Sequence, residues 1–554
     1  MNRRQFARIA AAALGAANLR AQERAYDLVI RNARIVDGTG RPAFPGDVAI
    51  RGDAIAEMPK VNGAARREID AAGLALCPGF IDAHDHSDYS ILIDPGARSM
   101  VHQGVTTMVL GEANSAGPVA GKARWAAPTA VTDRWRTLGE YFRLLEKRGV
   151  ATNIASYVGL GQVWECAVGY DMRRPTAAEM AGMRGLVAEA MRQGALGLAD
   201  SLITPPSSAA TRQEILDLVR VAKKYGGIYC THIRTEGIGI FDALQEAIEI
   251  GRSAGAPVEV LHLKIADRAL WGRMNEVVAQ IERARASGVR ISANVYPYFA
   301  GQNNLSAIIP PWAQDGGTPR MLERLRDPAA RARMKREILA GLPGWYNHYT
   351  ATGGWEGMLL VALKNPRNRP FQGRRMSELI AARGGDPVEV LFDVLLEENG
   401  SVPCVYFHHR EEDMQLALRQ PWCSVASDGL AVRPEGPLGA ETLHPRSYGT
   451  FARVLGRYVR ELKLLSLEEA VRKMTSLNAE KIGVRDRGVI RKGMRADLVV
   501  FDPATVADRA TYEKPHQYAA GIHHVLVNGK MVLENGEHTG QLPGRVLLHH
   551  STEP

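Results

Sequence analysis

The sequence predicts an α/β fold: a (β/α)8 TIM barrel carrying a small β-sandwich domain built from both chain ends. Three observations predict it. Eight short runs rich in Val, Ile and Ala alternate with helical stretches through the middle of the chain. Alternating runs with turn signals occupy both ends. Residue types that ligate metals recur where the middle runs stop, which is where such barrels carry their chemistry.

In chain order, "MNRRQFARIAAAALGAANLRAQ" comes first, with a basic start, a short apolar run and a small residue near Ala21. That is the layout of a secretory signal peptide over residues 1–21, too short to span a bilayer. Arg3 and Arg4 followed by Gln5 and Phe6 resemble the twin-arginine type, so export to a bacterial periplasm is expected. Cleavage after Ala21 removes four arginines and no acid, lowering the net charge from +9 to +5. Much of the basicity is thus a targeting feature. No Lys/Arg stripe with interleaved aromatics remains, which argues against nucleic-acid binding.

Residues 22–77 hold "AYDLVIRNARIVDG" and "GDVAIRGDAIAEM", short alternating runs with Gly-Asp turns. Residues 489–554 repeat the style with "ADLVVFDP" and "HHVLVNGKMVLENGE", where Asn528-Gly529 is a two-residue hairpin signal. Neither piece alone can bury a core, so the ends are expected to join. Between them, over 78–488, run "GFIDAHDH", "VTTMVLGE", "NIASYVGLG", "ALGLADSL", "GIYCTHIR", "VEVLHLK", "ISANVYPY" and "CSVASDG". Helical stretches such as "AAEMAGMRGLVAEAMRQG" and "RQEILDLVRVAKKYG" separate most of them. The gap between the seventh and eighth runs is too long for a loop, so residues from about 302 to 412 are expected to be an insertion with helices of its own.

Composition excludes several classes. Charged residues at 23% and hydrophobic ones at 45% fit a globular protein and not a disordered one. No internal apolar run reaches membrane-spanning length, so stable membrane insertion is not expected. Cys77, Cys166, Cys230, Cys404 and Cys423 are scattered, odd in number and lack a C-x-x-C pair, unlike a disulfide framework or zinc knuckle. Oligomeric state is left open.

The run ends carry the chemistry. In an extended strand, positions i and i+2 share a face, so His84 and His86 stand side by side with Asp85 turned away. Glu112 follows the second run, His232 ends the fifth, His262 the sixth and Asp428 the eighth. Any one alone reads as an ordinary buried polar residue. Six metal-ligand types at one end of one barrel read as a metal centre, for zinc or manganese, with one or two ions.

On "PGFIDAHDHSD", "GVTTMVLGE", "YCTHIRTE", "VLHLK", "VYPY", "ASDG" and "HPRSYGTFARVLGRYV", the chain resembles the metal-dependent amidohydrolase superfamily, and within it the N-acyl-D-amino-acid deacylases. The resemblance covers nearly the whole chain after the leader. It implies hydrolysis of the amide bond of small-molecule N-acyl-D-amino acids. One departure stands out: the family carries a zinc-binding cysteine in a "GNCG" stretch after the second strand, and here that stretch reads "GEANSAGP". Glu112 is the nearest residue able to ligate, and a carboxylate oxygen is an acceptable zinc ligand.

A zinc-type ion brings the pKa of bound water from about 15.7 to near 7. Asp428 is then expected to take the proton from that water and return it to the leaving amine. No G-x-S-x-G motif is placed on a strand-to-helix turn, which disfavours an acyl-enzyme route. For the substrate carboxylate, Lys264 is expected on the His262 strand face, and the resemblance adds Tyr296 from "YPY"; Arg433 and Arg446 follow the last strand. Two alternatives remain. Cyclic amidases and dipeptidases use related ligands, but many need a carboxylated lysine on the fourth strand, and "GALGLADSL" has none. An exported binding protein without turnover would keep buried ionisable groups at a cost with no chemistry to show for it.

Overall fold

Residues 26–440 and 442–549 are described by the computed structural model, so the expected leader lies outside the described residues. Both chain ends enter one sheet of nine strands. Tyr26–Ile35, Phe44–Arg51, Ala54–Glu57, Ala65–Asp70 and Ala75–Pro78 come from the N-terminal side, and Leu498–Phe501, Ile522–Val527, Lys530–Glu534 and Glu537–His538 from the C-terminal side. The two sides meet where Ala75–Pro78 pairs antiparallel with Leu498–Phe501. Asn528 and Gly529 both take left-handed backbone, φ 48° and 73°, as a tight two-residue hairpin turn requires. Gly529 also has no room for a side chain, since a Cβ there would lie 2.2 Å from the Gly52 carbonyl. Leu28, Ile30, Val48, Ile50, Leu498 and Val500 form a buried apolar core shared by both ends.

All eight predicted central runs contain strands: β1 (Phe80–Asp82), β2 (Val105–Leu110), β3 (Asn153–Ser156, resumed at Val158–Gly159), β4 (Gly197–Ser201), β5 (Ile228–His232), β6 (Val258–Val260), β7 (Ile291–Val295) and β8 (Cys423–Val425). Pairing is parallel throughout: β1 to β2 to β3, then β3 through β4, β5, β6 and β7 to β8. Beyond β8 a parallel bridge joins Gly429 back to Asp85. There the His86 N–H donates to the Gly429 carbonyl and the Asp428 N–H to the His84 carbonyl, both at 2.8 Å. Near-continuous burial along these strands is why they read as unbroken apolar runs.

The helices between them start where the sequence caps them. Thr176 with Glu179 and Thr211 with Glu214 form reciprocal capping boxes on Ala177–Arg192 and Arg212–Lys224. Met183, Val187 and Met191 on the first, and Ile215, Leu218 and Val219 on the second, bury one face at helical spacing. Between β7 and β8, antiparallel strands Gly301–Asn304, Met358–Leu360 and Pro403–Tyr406 pair with one another, beside helices Pro328–Ala340 and Pro387–Glu397. This segment has its own apolar core, including Leu305, Met334, Leu391 and Tyr406. Among the described residues, no helix is long and apolar enough to cross a membrane.

A buried polar network ties the terminal sheet to β3. Asp497 accepts from Arg487, from Asn153 Nδ2 at 3.0 Å and from the Asn528 N–H at 2.6 Å. Asn528 Nδ2 in turn donates to Asn153 Oδ1 at 2.8 Å. Breaking a buried ion pair on one side costs roughly 3–5 kcal/mol, because the other charge is stranded. Asp497→Ala should therefore lower unfolding stability by about that amount in urea denaturation. A loss below about 1 kcal/mol would show that the network bears little of the joint.

Candidate metal centre and active site

β1 ends at Asp82, so His84 and His86 lie in the extended segment just beyond it, held by the bridge to Gly429. Their rings are 5.0 Å apart, while Asp85 turns away to accept from the Ser87 N–H at 2.8 Å. β2 delivers Glu112 after Gly111, whose φ of 94° bends the chain inward. β5 ends on His232. His262 follows β6 by two residues with φ 37°, and Asp428 follows β8 with φ 52°. Left-handed backbone at two side-chain-bearing residues is strain of the kind retained at functional sites.

Glu112 is the hinge of the arrangement. Its Oε2 lies 2.5 Å from His84 Nε2 and 3.1 Å from His86 Nε2, and its Oε1 lies 3.4 Å from His232 Nδ1. Two donor groups result, one of His84, His86, Glu112 and Asp428 and one of Glu112, His232 and His262; within each, the ligand atoms lie within 4.8 Å of one another. Buried His84 Nδ1 and His232 Nε2 have no hydrogen-bond partner among the described residues, unusual for buried polar atoms. Imidazole and carboxylate donors converging this closely fit a divalent transition metal.

The electrostatics agree. Burial opposes charge on Glu112, yet His84, His232 and His86 hold its carboxyl well below the usual glutamate range. Burial also opposes charge on Asp428, but Arg446 and His84 hold it well below the aspartate range. For His86, burial disfavours the cation, and the Asp428 and Glu112 carboxylates outweigh it and push the imidazole well up. Asp428 divides its oxygens: Oδ1 is 2.9 Å from His86 Nε2 and 3.6 Å from His84 Nε2, while Oδ2 accepts from Arg446 Nη1 at 2.6 Å.

The residues expected to hold substrate are distributed differently. A cavity of about 490 Å³ is lined by Lys264, Tyr296 and Arg446 together with His86, Glu112 and Asp428. Lys264 does not reach it along a strand face, because β6 stops at Val260 and His262 turns left-handed. Its ammonium donates to Glu236 at 2.5 Å and lies 2.7 Å from His262 Nδ1. Arg446 is likewise committed to Asp428. The Tyr296 ring lies between these cations, 4.9 Å from the Arg446 guanidinium carbon and 5.7 Å from Lys264 Nζ, and its hydroxyl has no partner among the described residues. Arg433 is not part of the cavity wall: Val432 and Ser99 exchange hydrogen bonds that draw the chain away after β8.

Three lining residues had no legible signal. Glu236 follows His232 by four residues in a loop, where spacing fixes no geometry; it sits 3.0 Å from His262 Nδ1 and 3.6 Å from His232 Nε2. Burial disfavours its charge, but Lys264, His232 and His262 hold it well below the usual range. His348 and His408 come from the insertion and line the same cavity.

An α/β protein whose parallel strands deliver histidines and carboxylates into one cavity is, as a class, a metal-site protein of hydrolytic type. The chain belongs to the amidohydrolase family, whose model matches residues 67–355 and 376–533. It is 36% identical over 530 residues to a D-aminoacylase of Alcaligenes xylosoxydans xylosoxydans, covering 94% of this chain and 97% of the relative. An N-acyl-D-glutamate deacylase of the same organism is 33% identical over 526 residues, covering 94% and 96%. Among solved structures, the N-acyl-D-glutamate deacylase of Bordetella bronchiseptica, complexed with zinc and a phosphonate mimic of the tetrahedral intermediate, superposes with TM-score 0.78 and 31% identity, over 94% of this chain and 99% of that one.

Because both donor groups share Glu112, Glu112→Ala should weaken metal binding at both by at least about tenfold, read by chelator competition and metal analysis. Unchanged metal content and affinity in that variant would remove Glu112 from the ligand set.

Proposed function

We propose that this protein is a metal-dependent hydrolase that cleaves N-acyl-D-amino acids to a carboxylate and a free D-amino acid. The observation that carries the reading is the divided Asp428 carboxylate, one oxygen at the donor groups and the other fixed by Arg446. The deacylase relatives spanning 94% of the chain support the substrate class. Zinc is the ion we infer, held by His84, His86, Glu112 and Asp428 on one side and Glu112, His232 and His262 on the other. When bound, such an ion supplies Lewis acidity, making water acidic near neutral pH and polarising a carbonyl.

The side chains do the rest. Asp428 Oδ1 faces the attacking water and takes its proton, then returns it to the leaving nitrogen. Arg446 keeps that carboxylate oriented and ionised. Glu236 holds the Lys264 ammonium beside His262 Nδ1 and balances its charge there. Lys264 and Tyr296 meet the substrate carboxylate, the ammonium by charge and the unpartnered hydroxyl by hydrogen bond. β4 reads "GLADS" without lysine, which favours linear over cyclic amides.

We further infer that the parallel strands form a closed (β/α)8 barrel over about 78–488 with an insertion near 302–412. The bridge from Gly429 to Asp85 supports closure. The shared core of 22–77 and 489–554 supports a small sandwich domain.

General acid–base catalysis contributes about 10²–10⁴-fold, so Asp428→Asn should cut kcat on an N-acyl-D-amino acid by at least about a hundredfold with little change in KM. Lys264→Ala should raise KM for substrates with a free carboxylate and spare the matching N-acyl amides. Near-normal kcat in the first, or equal losses on both substrates in the second, would undo the roles given to catalyst and clamp.

Export by the twin-arginine route is part of the same proposal, supported by Arg3, Arg4 and the small residue at Ala21. Mass spectrometry of the periplasmic fraction should find protein lacking residues 1–21, and Arg3→Lys with Arg4→Lys should strand it inside. Intact Met1 in cytoplasmic material alone would refute this.

A further inference from the structure

A second cavity of about 210 Å³ adjoins the catalytic one. Ile203, Thr204, Asn303, Asn304 and His348 line both, so one wall is common to the two spaces. The rest of its wall mixes Met172, Leu202, Pro311 and Trp345 with the uncharged polar Ser208 and Gln314.

Its charge is already spent. Among the described residues lining it, Arg234 is the one charged side chain. That guanidinium grips Glu246 through Nε at 2.9 Å and Nη2 at 3.0 Å. It also donates to the Ser208 carbonyl at 3.0 Å and the Ala210 carbonyl at 2.9 Å. Four of its five N–H groups are used and its charge is balanced. In the main cavity Lys264 and Arg446 are paired with Glu236 and Asp428. Lys264, with Tyr296, meets one substrate carboxylate in the proposed reading; a second, carried into the side cavity, would find no available cation. A buried anion without a partner is costly.

Two buried polar atoms lining this cavity, His348 Nδ1 and Ser208 Oγ, have no hydrogen-bond partner among the described residues. His348 is 4% exposed. Burial pushes this imidazole down to about 3, so it stands neutral at physiological pH. Neutral donors and acceptors in a cavity without an available cation suit an uncharged limb.

We infer that the side cavity receives an uncharged limb of the substrate, so that this chain selects N-acyl-D-amino acids with a neutral limb over those bearing a second carboxylate. The inference rests on the proposed deacylase reading for the identity of the ligand. The limb can be the amino-acid side chain or the acyl chain, and the test separates them.

Phosphonamidate analogues, which cannot turn over, are titrated calorimetrically into the zinc-loaded wild-type protein. One arm compares the D-leucine with the D-glutamate analogue at a constant methyl group on phosphorus. The other keeps D-alanine and compares a pentyl with a carboxyethyl group on phosphorus. The neutral member should bind at least about tenfold more tightly in one arm, which names the limb. A smaller preference in both arms, or one for the carboxylate, overturns the inference. Ala307→Arg, which would place a cation in this cavity, should shift the affinity ratio of the responding arm toward the carboxylate by about tenfold. An unmoved ratio in folded variant also overturns it. Hydrolysis of N-acetyl-D-leucine, N-acetyl-D-glutamate and N-hexanoyl-D-alanine is measured separately. Absence of activity on all three would refute the deacylase reading while the binding ratio still decides the cavity.

Discussion

A carboxylate buried among imidazoles is the constraint on which the rest of the site depends. Glu112 is 8% exposed and approaches three histidines through two different oxygens. Desolvation alone would leave such a group neutral. It remains ionised because two strands bring imidazoles to it, β1 with His84 and His86 and β5 with His232, while His262 beyond β6 completes the second group. The register of the parallel strands is thus an electrostatic requirement as well as a packing one. A one-residue slip of β5 would turn His232 off the cavity and leave Glu112 uncompensated.

The same logic extends outward. Each group near the donors has a counter-charge supplied from another part of the chain: Asp428 by Arg446 from the helix that follows, and Glu236 by Lys264 from beyond β6. Arg446 is itself placed by its neighbours. His444 Nδ1 accepts from the Arg446 N–H at 3.0 Å, and His444 Nε2 contacts the Ala300 carbonyl at 2.8 Å, so the segment after β7 helps set the Asp428 carboxylate. Phe451, farther along the helix, stacks on Phe80 of β1 at 5.6 Å and locks that helix to the strand carrying the H-x-H segment. The motif "HPRSYGTF" therefore acts as one brace with a charged end and an apolar end.

Legibility followed how each feature is encoded. Strands came through because burial on both faces writes near-continuous apolar runs, and helices because Thr–Glu capping boxes precede 3.6-residue periodicity. Ligand types were visible because they sit at the ends of those runs. What failed was geometry decided by single backbone angles or by distant segments. Lys264 looked like a strand-face neighbour of His262, but a φ of 37° at His262 ends the strand logic there. Its partner Glu236 lies on another loop, and no spacing announces a contact of that kind. Arg433 looked equivalent to Arg446, yet the hydrogen bonds of Val432 to Ser99 direct the two apart. His348 and His408 reach the cavity only through the fold of the insertion.

The absence of the family's cysteine then acquires a structural meaning. The segment turns at Ala113, φ 54°, immediately after Glu112, whose carboxylate reaches the donors on a long side chain. A thiolate presents one soft atom, whereas Glu112 presents two hard oxygens that already face different histidines. Carboxylate donation shifts the site toward harder ions, and three histidine-bearing segments pull it back toward zinc. Because both donor groups include Glu112, each feels the charge of the other through that one carboxylate.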